Sequence, residues 1–364
     1  MSKGTIRHMF PGGNTSQGFF SYYDNILTQD EATRIIIIKG GPGVGKSTFM
    51  KKIAEEMLDR GYNVEFMHCS SDNSSLDGIV IPAIKVALMD GTAPHVIDPK
   101  NPGAVDEIIH LGDFWNEEGL RANREYIIKH NKEVGRQFAR AYRYLKAAAA
   151  IYDDTRVIHS WALDKAKVNE TAADVIDTVF GRLALSDCEG KRRNLFASAI
   201  TPDGLKNYLK SLLTTEKVYI FKGKQGTDTE KVLEKIKCAA IERGLDIEAY
   251  YCTMNPGKIE HLILPDIDVA FTTENKYHDI KVKADAIIDF NAFLDQKVLE
   301  DYKEVLEYNE REFDKLLAKA VETIGKAKTL HDKMEQYYIP NMDFEAIQRC
   351  WECTMARILE YAEE

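Results

Sequence analysis

No stretch of this 364-residue sequence keeps apolar residues together for the roughly 18 positions that a membrane span requires. The opening residues, MSKGTIRHMF, lack the apolar core of a secretory signal, so no leader is expected. Cysteine is sparse and scattered. Of the residues at 69, 188, 238, 252, 350 and 353, only Cys350 and Cys353 approach a Cys-x-x-Cys spacing, and no second pair completes a zinc site. CWEC therefore reads as two faces of one helix, and the pattern fits a reduced, cytoplasmic setting. Positive charge is also in deficit. The net charge of −10 disfavours nucleic acid as a partner. Low-complexity tracts and long linkers are lacking too, and 44% hydrophobic residues over this length supply cores for two or three domains.

Against these absences stands RIIIIKGGPGVGKSTFMKKIAEEM. The isoleucines after Arg34 read as a buried parallel strand. Gly40-x-x-x-x-Gly45-Lys46-Ser47 then fits a phosphate loop, and an amphipathic helix follows. The glycines let backbone N–H groups turn inward around phosphates, and the helix start adds the positive end of its dipole. The candidate nucleotide-binding residues are Gly40, Gly41, Gly43, Val44, Gly45, Lys46, Ser47 and Thr48. Lys46 is expected to bridge the β- and γ-phosphates of ATP, and Ser47 to ligate Mg²⁺. Asp90, after the apolar run IKVALM, is the candidate second Mg²⁺ ligand, with Asp98 and Asp113 in reserve. Lys46 and Asp90 are the candidate catalytic residues. His68, Cys69, Ser70, Asp72, Asp77 and His95 form a further polar group near the predicted strand ends, where open α/β sheets place ligands.

The second half repeats the first. RIIIIKGGPGVGKS lies over KVYIFKGKQGTDTE at an offset of 183 residues, and 15 of the 62 positions from Arg34 to His95 are identical in that register, far more than chance allows. Phe10 meets Phe196 and Gly18 meets Gly204 at offset 186. The chain is thus a duplication, and its second loop has decayed. Gly45 became Asp228, Lys46 became Thr229, Ser47 became Glu230 and Asp90 became Thr273. Losing the lysine removes a contact of roughly 1.5–3 kcal/mol. A carboxylate close to phosphate costs up to about 4 kcal/mol. A nucleotide is not expected there; a structural role or a cationic or neutral ligand is.

The segments RHMFPGGNTSQGF, GGPGVGKST, LDGIVIP and DGTAPHVIDP, with the degenerate copy RNLFASAITPDG…HLILP, resemble an uncharacterised family of bacterial P-loop ATPases built as a tandem repeat. The resemblance covers nearly the whole chain and implies ATP binding in the first repeat. Members often keep a more complete second loop; this chain departs from that pattern, so one site is expected.

The expected fold is α/β: two tandem P-loop NTPase-type domains with parallel sheets, each with an appended helical segment. Residues 1–190 form the active domain, helical over about 116–190, and 191–364 the degenerate one, helical over about 295–364. Residues 121–146 carry a charge of +6 and 298–323 of −4. Lys129, Lys132, Arg136, Arg140 and Arg143 fall on one helical face, which is solvated, docked on the acidic helix of the other repeat, or turned toward a nucleotide phosphate or another anionic partner. The expected function is Mg²⁺-dependent ATP binding with hydrolysis. A small-molecule kinase using His68 and Asp72, and a non-catalytic sensor, are the alternatives. ATP is the expected partner, with an unidentified small molecule or protein beside it; GTP is not expected, because ENKYHD mis-spaces a guanine-reading motif.

Overall fold

The computed structural model describes residues 2–93, 96–278 and 280–363; His95 of the polar group lies outside them. The chain opens with β1 (Ile6–Met9), a hairpin of β2 (Gly12–Thr15) and β3 (Gly18–Ser21), and β4 (Arg34–Lys39), the isoleucine run. Helix α1 (Lys46–Asp59) follows the glycine loop, and then β5 (Val64–His68), β6 (Leu76–Ile81), β7 (Val86–Asp90) and β8 (Asp106–His110). Helices α2 (Glu117–Ala122), α3 (Arg124–Ala162) and α4 (Lys165–Phe180) complete the first half.

The second half runs through the same series: β9 (Arg192–Leu195), β10 (Ser198–Thr201), β11 (Gly204–Asn207), the one-turn α5 (Leu209–Leu212) and β12 (Lys217–Lys222). Next come α6 (Thr229–Ile241), β13 (Ile247–Tyr251), β14 (Ile259–Leu264), β15 (Val269–Glu274) and β16 (Ala286–Asp289). Helices α7 (Gln296–Asp301), α8 (Lys303–Tyr338) and α9 (Phe344–Glu363) follow. The fold is α/β, with two six-stranded sheets, each followed by helices.

The sheets are mostly parallel, as expected, but each includes one antiparallel strand. The first has the order β1-β5-β6-β7-β4-β8, and β6 runs antiparallel to both neighbours. In the second, β14 does the same. The cause is connection length. Only residues 69–75 join β5 to β6, and a one-turn 3₁₀ segment ending at Lys85, with φ +54°, joins β6 to β7. Links this short can form hairpins but cannot cross over to a parallel neighbour.

Strand β4 is buried on both faces. Ile36 and Ile38 pack with Phe49, Met50 and Ile53 of α1. Ile35 and Ile37 share a core with Val218, Ile220, Tyr250 and Ile263 of the second sheet, so the two sheets meet face to face. Between them lies a group of charges. Arg7 donates to Glu65 at 2.9 Å and to Glu248, and Arg193 donates to Glu65 at 2.6 and 3.0 Å and lies 3.5 Å from Glu248. Arg7 and Arg193 are repeat equivalents at offset 186, and Glu65 and Glu248 at 183. Phe10 and Phe196, also equivalents, exchange backbone hydrogen bonds of 2.9 and 3.0 Å. The duplication is therefore a pseudo-two-fold structure.

Each half gives its last helix to the other. Ile347, Met355 and Ile358 of α9 pack with α1 and β4. Val168, Ala172 and Val175 of α4 pack with Val232 and Ile236 of α6. The helical parts of the two expected domains therefore do not stay with their own sheets. The reason is reach. Helix α3, 39 residues long, carries the chain well beyond its own sheet, roughly 58 Å at 1.5 Å per residue. It lies antiparallel to α8, with Tyr126 stacked on Tyr337 and Trp161 against Tyr302 at opposite ends. Ala141, Leu145 and Ala148 meet Phe313, Leu317 and Ala320 in the seam. Lys129, Lys132, Arg136, Arg140 and Arg143 are all exposed. The two long helices do dock, but through apolar side chains, and the basic face is solvated.

Two predictions follow from this architecture. Burial alone would raise the Glu248 carboxyl, but the Arg7 hydrogen bond and the charges of Arg7 and Arg193 outweigh it and hold it down to about 2. A depressed carboxyl stabilises the fold above its unfolded value near 4.3, and that contribution disappears as pH falls toward 2. Urea unfolding should therefore lose roughly 3 kcal/mol across this window in the wild type. Glu248→Gln should be less stable at pH 7 and show a flatter acid limb; parallel limbs would contradict the assignment. Second, Ile358→Ala, at a fully buried site, should cost about 2–5 kcal/mol. If the helix exchange holds in solution, hydrogen exchange should accelerate first in α1 and β4, not in the second sheet.

Candidate functional site

The loop from Gly40 to Gly45 turns between β4 and α1. Gly43 and Gly45 hold φ of +68° and +92°, a left-handed geometry that disfavours side chains. Lys46 folds back over the loop: its Nζ donates to the carbonyls of Gly40 at 3.1 Å and Gly41 at 2.9 Å, and lies 3.6 Å from Asp90 Oδ2. Asp90 reaches this point because β7 is the parallel neighbour of β4, with Ile38 opposite Asp90. Its other oxygen accepts from the Thr92 N–H at 2.9 Å. Ser47 Oγ accepts from the Leu76 N–H at 3.0 Å. Val44 is buried in the core and Thr48 is exposed on the first turn of α1. The reserve aspartates lie elsewhere: Asp98 pairs with Lys39 at 3.0 Å and Asp113 with His110 at 2.8 Å, both at the surface.

A cavity of about 610 Å³ opens over this loop, within the range of small-molecule sites. The loop, Lys46, Ser47, Asp90 and Thr92 form its floor, and Cys69, Asp72 and Asp77 one side. Its far wall is not part of the first sheet. Val134 and Phe138 come from α3, and Lys328, His331 and Glu335 from α8 of the second repeat. Lys328 lies 3.9 Å from Asp72 and pairs with Asp332 at 2.9 Å. His331 Nδ1 is 3.7 Å from Glu335 Oε1, and these two with Asp332 could together hold a cation. Helix α8 also presses on the loop itself. A side chain at Gly43 would meet Glu335 at 3.0 Å and Ile339 at 3.1 Å, and one at Gly41 would strike the Tyr338 ring at 2.6 Å.

The polar group beyond the loop divides. Asp72 lines the cavity, holding Ser74 and Ser75 hydroxyls at 2.8 and 2.9 Å. Asp77, buried, sits beside Tyr23 and Cys69; burial first and the Asp77 charge second push the Cys69 thiol well above its ordinary range. Ser70 is fully buried and outside the cavity lining. His68 does not reach the cavity either. It stacks on Tyr208 of the second repeat at 4.4 Å, with Nε2 2.9 Å from His8 Nδ1, and burial pushes it down to about 4. His68 is thus a packing residue between the repeats, a correction to its expected place beside an acceptor. Cys350 and Cys353 fall on the packed and exposed sides of α9, as read from their spacing.

The second loop is closed. Thr227, Asp228 and Thr229 are buried, and Asp228, at φ +59°, pairs with Lys231 at 2.7 Å. Gly226 lies so close to α3 that a side chain there would meet the Arg156 carbonyl at 2.3 Å. The His159 ring nitrogen is 2.6 Å from the Gln225 carbonyl oxygen. The space equivalent to the large cavity is about 50 Å³ and contains the Lys258 side chain where the first repeat has Ser75.

The motif residues Lys46 and Ser47 lie on the floor of this cavity, and its wall comes from far along the sequence. Lys328, His331 and Glu335 carry no motif, and only the antiparallel pairing of α3 with α8 brings them over the loop.

One family model matches the chain, described as Nephrocystin 3, N-terminal, over residues 15–80. The match takes in the loop, α1, β5 and most of β6, and nothing of the second repeat; it does not extend to the tandem-repeat family resembled by the motifs. No curated protein and no solved structure matches the chain.

Proposed function

We propose that the first repeat binds ATP with Mg²⁺ and hydrolyses it, while the second repeat is a scaffold that supplies the site's far wall. The observation that carries this reading is the joint position of Lys46, Ser47 and Asp90 on the floor of the 610 Å³ cavity. Lys46 is already aimed across the loop, so exchanging the Gly40 and Gly41 carbonyls for phosphate oxygens needs only a side-chain movement. The glycine backbone supplies N–H donors and α1 the positive dipole end. Ser47 and Asp90 are the residues that would hold Mg²⁺, which when bound offsets charge on the β- and γ-phosphates. A second reading, phosphoryl transfer to a small-molecule acceptor, is favoured by the polar wall of Asp72, Lys328 and His331, which has more groups than a water nucleophile needs.

Titration calorimetry of the full chain with MgATP should give one site per chain. Lys46→Ala removes a charge-assisted contact of about 1.5–3 kcal/mol and should weaken binding roughly 10- to 150-fold. Phosphate release should fall further, because charge grows on the transferring group. Two sites of similar affinity, or an unaltered Lys46→Ala, would remove the proposal. The halves are not tested apart, since each lacks a helix that covers its sheet.

A further inference from the structure

Close to its closed loop, the second repeat carries a buried cluster of titratable side chains. Strand β14 carries a bulge: Ile259 pairs with Tyr251 and His261 with Tyr250, so Glu260 is the extra residue. In a regular strand, Glu260 and His261 would point to opposite faces. A bulge re-aims side chains locally, and here both converge on His278. All three are buried, at 3%, 1% and 7% exposure. One donor atom from each lies within 4.8 Å of the others, and Glu260 Oε2 is 3.6 Å from His278 Nδ1.

Three buried atoms of this group, Glu260 Oε2, His261 Nε2 and His278 Nδ1, have no hydrogen-bond partner. Buried polar atoms without a partner are rare, and a water or an ion is among the groups that satisfy them. The opposite nitrogen of each ring is held by a hydroxyl: His261 Nδ1 is 2.6 Å from Thr272 Oγ1, and His278 Nε2 is 3.2 Å from Ser198 Oγ. A hydroxyl that accepts the ring N–H leaves the inward nitrogen with its lone pair, the arrangement that orients metal-ligating histidines.

We propose that Glu260, His261 and His278 form a binding site for a divalent first-row transition metal. Two imidazoles and one carboxylate suit Zn²⁺, Co²⁺ or Fe²⁺ and are a poor match to Ca²⁺ or Mg²⁺, which take oxygen donors. The neighbouring space of about 50 Å³ is lined by Cys252, Lys258, Glu260 and His278, so a further coordination position faces a pocket with room for water. The site belongs to the second repeat alone. In the first, His261 is replaced by Gly78, Thr272 by Met89 and Ser198 by Gly12, so a ligand and both orienting hydroxyls are missing together. Lys258, whose ammonium donates to the Tyr152 hydroxyl at 3.3 Å, is a half-buried cation beside the carboxylate of Glu260 and opposes the metal. The proposal is independent of any nucleotide at the first repeat.

The full chain, stripped with a chelator, is titrated with Zn²⁺ and separately with Co²⁺. One equivalent should bind, with visible Co²⁺ absorption of a nitrogen- and oxygen-ligated ion and a rise in melting temperature on adding Zn²⁺. His261→Gly, the residue of the first repeat, should weaken uptake at least 100-fold. Thr272→Val, close in shape and so least disruptive, should weaken it about 10- to 100-fold by freeing the ring it orients. Lys258→Met should tighten uptake. No stoichiometric uptake by the wild type would overturn the proposal. So would uptake whose affinity and spectrum survive both His261→Gly and Thr272→Val, since the ion would then sit elsewhere.

Discussion

The four charges between the sheets hold the rest of the structure in register. Glu65 and Glu248 are buried, and each is shared by Arg7 and Arg193. A buried ion pair adds little over well-packed apolar residues, but breaking one leaves a stranded charge at a cost of about 3–5 kcal/mol. Its main effect is therefore on alignment: neither sheet can slide or turn without unpairing both arginines. Tyr250, donating to Glu248 at 3.0 Å, closes the ring on one side only, the first departure from two-fold symmetry. With the sheets fixed in this way, α3 and α8 can cross to opposite ends, and the cavity wall from one repeat lands over the loop of the other.

The sequence made part of this legible. The isoleucine strand and the glycine-rich turn after it rest on local chemistry, and the structure has both at those positions. The duplication was readable because its register is ungapped from Arg34 to His95. The antiparallel β6 was not read, since a fully buried strand has the same apolar pattern in either direction. The exchange of α4 and α9 was also beyond reach: an amphipathic stripe says that a helix covers a sheet, not which sheet. His68 was misjudged for a related reason. It stands at a strand end, as a ligand-binding residue would, but β5 is followed at once by the tight return to β6, and the ring turns toward Tyr208.

The two repeats diverged in complementary ways. The first has small residues over its loop, such as Ser75, and an open space above them. The second has Lys258 at that position, although each loop has the long helix of the other repeat against it. Both repeats keep the bulge, at Asp77 in one and at Glu260 in the other. The bulge aims an acidic group into each site, but only the second places a histidine directly after it. One backbone irregularity has thus been used for two different surroundings.

The helix exchange also has a consequence in time. The sheet that carries the glycine loop is covered on its outer face by α9, which begins some 250 residues after β7 ends. While the chain emerges from the ribosome, β4, α1 and Asp90 appear early, but Ile36 and Ile38 keep part of their cover missing until residues 344–363 have emerged. The wall of Lys328, His331 and Glu335 arrives just before that helix. Domains commonly fold in order during translation. This one is bound to wait, so a nascent chain exposes its loop long before it has a closed site.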